Sequence, residues 1–336
     1  LGYGILAAGV RFGAGYPITP WSDIMELLRR ELPKYDGMFV QCEDEIAAVS
    51  MAIGASWGGR VAITGSSGPG IALKGEAIGW AVMAEIPLLV IDVQRGGPST
   101  GMPTNVEQSD LNIACFGGHG DSPRVVLAPS SVEDCFYTAI EAVNIARKYS
   151  TPVIILTDQA IATRIEAFGM PKLKEICQDI SPDLTPRDDH KPYDLSAPDG
   201  ITQHAAPGTF IKSGKYPVVT GLEHNEMGHP SGSPKMHLDM TAKRHNKLKA
   251  LGRELPKPEA YGPDEGNVLL VGWGSTQGSL REATEQARKD GDSISALTIR
   301  HINPLPEGLE NIFSGFNHVF VVENNDGGLY GYGQLC

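Results

Sequence analysis

No two of the five cysteines, at positions 42, 115, 135, 177 and 336, stand in CxxC spacing. Zinc and iron–sulfur sites are commonly built on such pairs, so neither is expected on this chain. An odd number of thiols in 336 residues argues against a disulfide framework. It predicts reduced cysteines and a cytoplasmic protein. Basic residues are also scarce: 28 Lys and Arg face 40 Asp and Glu, a formal net charge of −12. That balance disfavours nucleic acid and anionic membranes as partners. It equally disfavours direct docking of a strongly acidic protein. No apolar run reaches the length of a membrane-spanning helix. HExxH is missing. Gly65 to Gly70 has the spacing of a phosphate-binding P-loop, but Ile71 stands where lysine is required. "GWGSTQG" follows a strand, yet Gln277 replaces the third glycine of a dinucleotide fingerprint, and a plain strand-to-helix turn is the simpler reading. The opening "LGYGILAAGV" has neither the basic start nor the length of a signal peptide. Both ends read as interrupted elements, so a longer gene product is expected.

What is present is a regular alternation. Apolar strands are predicted at "VRF", "MFVQ", "RVAIT", "PLLVIDV", "RVVLAP" and "PVIILTD". Between them lie helical stretches, such as the stripe Ile24, Leu27, Leu28 and Leu32 that Pro33 ends. A small-residue helix follows "CEDE", another covers 71 to 84, and a third covers 131 to 149. Fully apolar strands alternating with helices predict a mostly parallel, doubly wound sheet covered on both faces. Residues 171 to 260 break the rhythm and read as an irregular excursion or lid, with one helix near "MTAKRHNKLKAL". Alternation resumes at "NVLLVGWGS" with a helix at 278 to 289, then "SISALTIR" and "HVFVVEN". The expected organisation is therefore a first domain over 1–170, the excursion over 171–260 and a smaller α/β domain over 261–336.

In such sheets ligands bind at the loops beyond the strand C-termini. "GYPITP", "QCEDE", "GSSGPG" and "QRGGPSTGMPT" all fall there and are expected to converge. Two prolines stiffen the first loop around Ile18 and Thr19. Thr19 reads as a helix N-cap with Pro20 at the first helical position. A cap does not need the second proline, which keeps open a role for the Thr19 hydroxyl in binding. Glu43, Asp44 and Glu45 open a helix, and compensation of the helix dipole suffices for at least two of them. Glu45 directly precedes an expected buried face of Ile46, Ala47 and Val49, so it is the best placed to face a ligand. Arg95, among glycines, is either a solvated loop residue or a fork onto a carboxylate. The histidines at 224, 229, 237 and 245 permit a metal site, but polar contacts from a solvated loop are the simpler reading.

In that order, "YPITP", "EDEIAA", "SSGPG" and "QRGGPSTGMPT" resemble the alpha subunit of 2-oxoacid:ferredoxin oxidoreductases, most closely those acting on 2-oxoglutarate. The resemblance extends to "GLEHNEMGHPSGSPKMHLDMTAKRHNKL" and to "VVENNDGGLYGYGQL". Trp21 departs from it, because many relatives carry serine there. The resemblance implies a thiamine diphosphate pyrimidine-binding domain followed by a transketolase C-terminal-like domain. It implies that Glu45 hydrogen-bonds the aminopyrimidine N1′, with Ile18, Ser67 and Gly68 also at the cofactor. Thr19, Arg95 and Thr104 would bind the substrate's carboxylate and keto oxygen. No GDG is present. The diphosphate with its Mg2+, and a [4Fe-4S] cluster, would therefore belong to a beta subunit, in a dimer of alpha–beta heterodimers. Ferredoxin would take the electrons and coenzyme A the acyl group. The rivals are the same reaction on branched-chain or aryl 2-oxoacids, a transketolase-like carbon transferase and a non-catalytic scaffold. A small cluster-bearing partner with GDG would separate the first from the others.

Overall fold

A computed structural model describes residues 1–326 except Gln203, Lys215 and Pro217. Cys336 and the "GLYGYGQL" segment lie outside the described residues. In chain order the first unit comprises α1 (Gly2–Ala7), β1 (Phe12–Gly15), α2 (Ser22–Glu31), β2 (Met38–Gln41), α3 (Glu45–Trp57), β3 (Ala62–Ser66) and α4 (Gly68–Met83). It continues with β4 (Leu88–Gln94), α5 (Leu111–Phe116), β5 (Val125–Leu127), α6 (Val132–Tyr149), β6 (Pro152–Asp158) and the short α7 (Gln159–Ala162). After the short α8 (Leu173–Ile176) and the long α9 (Pro234–Glu254) come β7 (Gly266–Trp273), α10 (Gln277–Lys289), β8 (Ile294–Ile299), β9 (His301–Asn303), α11 (Leu309–Phe313) and β10 (Phe316–Val321).

Seven strands form one sheet in the order β2-β1-β3-β4-β6-β5-β9, and three form a second in the order β10-β7-β8. All neighbours are parallel except β9, which runs antiparallel to β5. A strand from the far end of the chain thus closes the edge of the first sheet. The two faces of the large sheet carry separate cores, as strand alternation requires. Leu89, Ile91 and Val93 of β4 pack with α1, α2, α6 and the end of α9. Leu88 and Val90 pack with α3, α4, α5 and the second sheet. Asp92 lies on that second face.

One local expectation fails. Thr19 does not cap α2: the helix begins at Ser22, Trp21 occupies the cap position, and no side chain caps it. The segment instead closes as a turn, with the Ser22 N–H donating to the Ile18 carbonyl. Burial of Trp21 dominates here. Its ring is fully buried and lies against Gly65 of β3, where any Cβ would overlap it. Helix α4 starts at Gly68, three residues before the expected position, because Pro69 suits a first turn.

The stretch from 171 to 260 meets the C-terminal end of α4, where the Tyr193 hydroxyl donates to the Ala84 carbonyl. Its anchor is α9, capped by the Ser233 side chain and docked by charge. Lys243 Nζ lies 2.8 and 2.6 Å from the two oxygens of buried Glu85, and Lys247 Nζ reaches the same carboxylate. Burial opposes charge on Glu85, but the two ammonium groups outweigh it and hold its carboxyl below the ordinary range.

Candidate active site

Four loops meet at the C-terminal ends of β1 to β4. Arg95 follows β4 and is 5 % exposed. Its Nη1 donates to the Thr19 carbonyl at 2.6 Å and its Nη2 to the Thr100 carbonyl at 3.0 Å. Its Nε is buried and finds no acceptor among the described residues. The proline-stiffened loop after β1 and the glycine-rich loop after β4 are therefore joined through one guanidinium. The Thr19 side chain stays exposed and Ile18 is half-buried against the core. Thr104 is exposed on a turn that the Asn105 N–H closes by donating to the Met102 carbonyl.

Glu45 is the first residue of α3 and only 8 % exposed, while Glu43 and Asp44 face solvent. The division of labour is local. Asp44 caps the helix, accepting from the Ala47 N–H at 2.8 Å, so Glu45 is free of that task. Its carboxylate lies against Gly70 in the first turn of α4. A Cβ on Gly70 would overlap the Ser66 hydroxyl and stand 2.8 Å from Glu45 Oε1. Only glycine allows α4 to approach this closely. Ser67 holds the cap position of α4 in an extended conformation, yet its buried hydroxyl neither caps the helix nor meets another group among the described residues. An unsatisfied hydroxyl at a helix N-terminus is suited to a polar ligand. Gly68 beside it lies against Asp110, whose Oδ1 is 2.5 Å from where a Cβ would stand.

Several groups at the site carry weaker sequence signals. Lys74 is fully buried on α4 and donates to the Glu45 backbone carbonyl at 3.0 Å. Burial lowers its pKa to about 8, against the pull of Glu45, Cys42 and Asp44. Glu107 accepts from the Gly97 N–H at 2.8 Å and steadies the glycine-rich loop. Gln94 accepts from the Asp110 N–H at 3.1 Å. A lone lysine in the small-residue run "GIALKGEAIG" and a lone aspartate in "PLLVIDV" were the readable signs. The histidines do not converge. His224 is buried against the Tyr193 ring at 4.0 Å, not solvated, and His237 pairs with Glu223 at 2.5 Å. Cys42, Cys115, Cys135 and Cys177 are free thiols.

A parallel α/β domain with a buried carboxylate, an unsatisfied serine and an arginine-braced loop at its strand ends has the architecture of a ligand-binding domain. The chain belongs to the family described as pyruvate flavodoxin/ferredoxin oxidoreductase, thiamine diphosphate-binding, whose model matches residues 3–243. It is 41% identical over 336 residues to the 2-oxoglutarate oxidoreductase subunit KorA of Mycobacterium tuberculosis, covering 98% of this chain and 50% of that one. It is 36% identical over 327 residues to the 2-oxoglutarate synthase subunit KorA of Methanocaldococcus jannaschii, covering 97% and 87%. Among solved structures it matches the 2-oxoglutarate:ferredoxin oxidoreductase from Magnetococcus marinus, with 2-oxoglutarate, coenzyme A and succinyl-CoA bound. The TM-score is 0.91 at 39% identity, covering 98% of this chain and 57% of that one. The chain thus spans about half the length of the mycobacterial and Magnetococcus proteins. A split-gene transketolase shares the fold at a TM-score of 0.50 and 11% identity. No helix among the described residues is long and apolar enough to cross a membrane.

Proposed function

We infer that this chain is the alpha subunit, or its pyrimidine-binding portion, of a thiamine diphosphate-dependent 2-oxoglutarate:ferredoxin oxidoreductase. The reaction is oxidative decarboxylation to succinyl-CoA and CO2 with reduction of ferredoxin. The observation that carries this reading is the buried Glu45 carboxylate, released from helix capping by Asp44 and given room by Gly70. The aminopyrimidine half of the cofactor fits this setting: a carboxylate for its N1′, the unsatisfied Ser67 hydroxyl, Gly68 at the α4 N-terminus and the half-buried Ile18. Thiamine diphosphate supplies the electron sink that lets CO2 leave a 2-oxoacid.

The chain's own residues then have distinct tasks. Glu45 holds the proton at N1′. Lys74 fixes the backbone from which Glu45 projects. Arg95 spends two donors on the carbonyls of Thr19 and Thr100 and offers those remaining to the substrate carboxylate. Thr19, with Thr104 across the loops, takes the keto oxygen on a stem with little freedom left to lose. A beta subunit is assigned the diphosphate with Mg2+ and the [4Fe-4S] cluster, within a cytoplasmic dimer of heterodimers. Ferredoxin is assigned to that subunit's surface, since a charge of −12 repels an anionic protein.

Co-expression with the candidate beta subunit tests the reading. The complex should bind thiamine diphosphate, show cluster absorbance and turn over 2-oxoglutarate faster than pyruvate or 2-oxoisovalerate. The chain alone should be colourless and inactive. Cluster absorbance from the chain alone, or better turnover of another 2-oxoacid, would overturn the subunit and the substrate assignment respectively.

A further inference from the structure

Trp57 ends α3, Ala84 follows the last turn of α4 and Ser150 follows that of α6. In a parallel sheet these helix ends lie where the strands begin, so they stand opposite the four loops of the candidate active site. β4, seven residues long, separates the two ends by roughly 20–25 Å. The three helix ends and residues drawn from 190 to 219 enclose a cavity of about 310 Å³. Ligand cavities begin at about 300 Å³. Pro207 and Gly208 on its lining are exposed and mark where it opens.

His190 lines this cavity and is 5 % exposed. Its Nδ1 lies 3.1 Å from Arg187 Nη1. A guanidinium only donates, so Nδ1 accepts and the ring hydrogen sits on Nε2. Burial, and next the Arg187 charge, lower the pKa of the ring to about 4, so it is uncharged at neutral pH. Arg187 stands outside the cavity wall, which leaves the Nε2 edge toward the space. That N–H is buried and meets no acceptor among the described residues. Thr202, on the same lining, has a buried hydroxyl that is likewise unpartnered among them. Three neighbours are already committed. The Tyr193 hydroxyl donates to the Ala84 carbonyl at 3.3 Å, His204 Nε2 donates to the Trp57 carbonyl at 2.7 Å, and Glu85 is held by Lys243 and Lys247. A buried donor and a buried hydroxyl left unmet cost free energy that a bound polar group would recover.

We propose that this cavity is a binding site for a small uncharged ligand that carries an amide on a planar apolar body. The amide carbonyl serves His190 Nε2, its N–H serves the Thr202 hydroxyl, and the flat body lies against Trp57 and Tyr193. An anion is disfavoured, because the C-terminal ends of α3, α4 and α6 carry negative partial charge and the Glu85 carboxylate is on the wall. A cation is disfavoured as well, because two ammonium groups already match Glu85 and His190 presents a hydrogen. A bound ligand would tie the stretch carrying His190, Tyr193 and Thr202 to the helix ends of the first unit. The inference does not depend on the role assigned to Glu45.

Benzamide is the probe, titrated by calorimetry into the assembled alpha–beta complex. It should bind at millimolar concentration and raise the melting temperature. Benzoate adds a charge and toluene lacks the amide, so both should bind more weakly by roughly 10-fold or more. Thr202→Val removes a hydroxyl with no partner to lose, so folding should survive while benzamide weakens roughly 2- to 10-fold, the worth of one hydrogen bond. His190→Leu, with melting curves confirming folding, should abolish binding. Benzamide should leave KM for the 2-oxoacid unchanged. The proposal is overturned if benzamide does not bind, if benzoate or toluene binds as tightly, or if binding survives both substitutions. It is also overturned if benzamide competes with the 2-oxoacid, which would place the probe at the other end of the sheet.

Discussion

Gln108 and Asn324 are joined in both directions. The Gln108 backbone N–H donates to the Asn324 carbonyl at 2.8 Å, and the Asn324 N–H donates to Gln108 Oε1 at 3.1 Å. Gln108 also donates through Nε2 to the Trp273 carbonyl at 3.0 Å and accepts at its own carbonyl from Asn325 Nδ2 at 2.8 Å. All four polar groups of this fully buried residue are bonded to Trp273 of β7 or to Asn324 and Asn325 beyond β10. Gln108 lies at the base of the loop that begins with Arg95. The Gly96 N–H closes that loop by donating to the Asn105 carbonyl at 3.0 Å.

Gln108→Ala removes the two side-chain bonds, although the Trp273 carbonyl keeps the Thr276 hydroxyl and Asn324 is exposed. A lost hydrogen bond costs about 0.5–1.5 kcal/mol, so the melting temperature should fall by a few degrees. The loop carrying Arg95 should loosen, and KM for the 2-oxoacid should rise more than kcat falls. Calorimetry with steady-state kinetics of the complex measures both. Unchanged kinetics beside a lowered melting temperature would confine Gln108 to stability.

Among the three acids that open α3, only Glu45 should matter to chemistry. Glu45→Gln keeps size and helix propensity, so assembly should survive while single-turnover decarboxylation slows by roughly 10²- to 10⁴-fold. Glu43→Gln should be nearly silent. Asp44→Asn should be mild, because asparagine caps as well, whereas Asp44→Ala should cost about 0.5–2 kcal/mol of stability with chemistry intact. A dead Glu43→Gln with an active Glu45→Gln would move the activating role to the exposed neighbour.

Arg95→Met should raise KM strongly and leave cofactor binding in place. It removes charge-assisted contacts worth roughly 1.5–3 kcal/mol, and it also frees the Thr19 loop from its brace. Arg95→Lys should recover little, because one ammonium cannot serve two carbonyls and a carboxylate with the geometry of a planar fork. Isothermal titration of cofactor and substrate separates the two effects, and full recovery by lysine would reduce the role of Arg95 to charge.

Glu85→Gln leaves the ammonium groups of Lys243 and Lys247 buried without their counter-charge. Breaking a buried pair in this way costs about 3–5 kcal/mol. The carboxyl is depressed in the folded chain, so its contribution is present above the unfolded-state pKa and is lost as pH falls through the folded value. Denaturant midpoints of wild type and variant should differ widely at neutral pH and converge in acid. A gap that does not change with pH would mean that packing, not charge, is lost.

Asp92 has the opposite sign. Its carboxyl is raised in the folded chain, so the folded state keeps a proton that the unfolded chain has released. Stability is therefore greatest below the unfolded value of about 4 and declines as pH rises toward the folded one. Asp92→Asn resembles the protonated acid in shape and removes this decline. It should melt above wild type at neutral and alkaline pH, with the difference closing near pH 4. A variant that melts below wild type throughout would show that Asp92 is ionised.

The sequence by itself determined the alternation of strands and helices, the parallel sheet and the edge on which four loops meet. Strand and helix periods are local properties, and a parallel sheet fixes where its loops emerge. Glu45 turns inward as expected, but the face of Ile46, Ala47 and Val49 does not carry it: of these only Val49 is buried, and it is Asp44 taking the cap that frees Glu45. Only the tertiary structure decided the rest. Burial of Trp21 against Gly65 overrode the cap that Thr19 and Pro20 promised. The joining of Arg95 to Thr19 spans 76 positions and has no local signature. Lys74, Ser66, Asp92 and Asp110 read as isolated polar residues in apolar or small-residue runs. Two strands and two helix N-termini brought them together, and whether such groups are costly or useful depends on neighbours that no window of sequence contains.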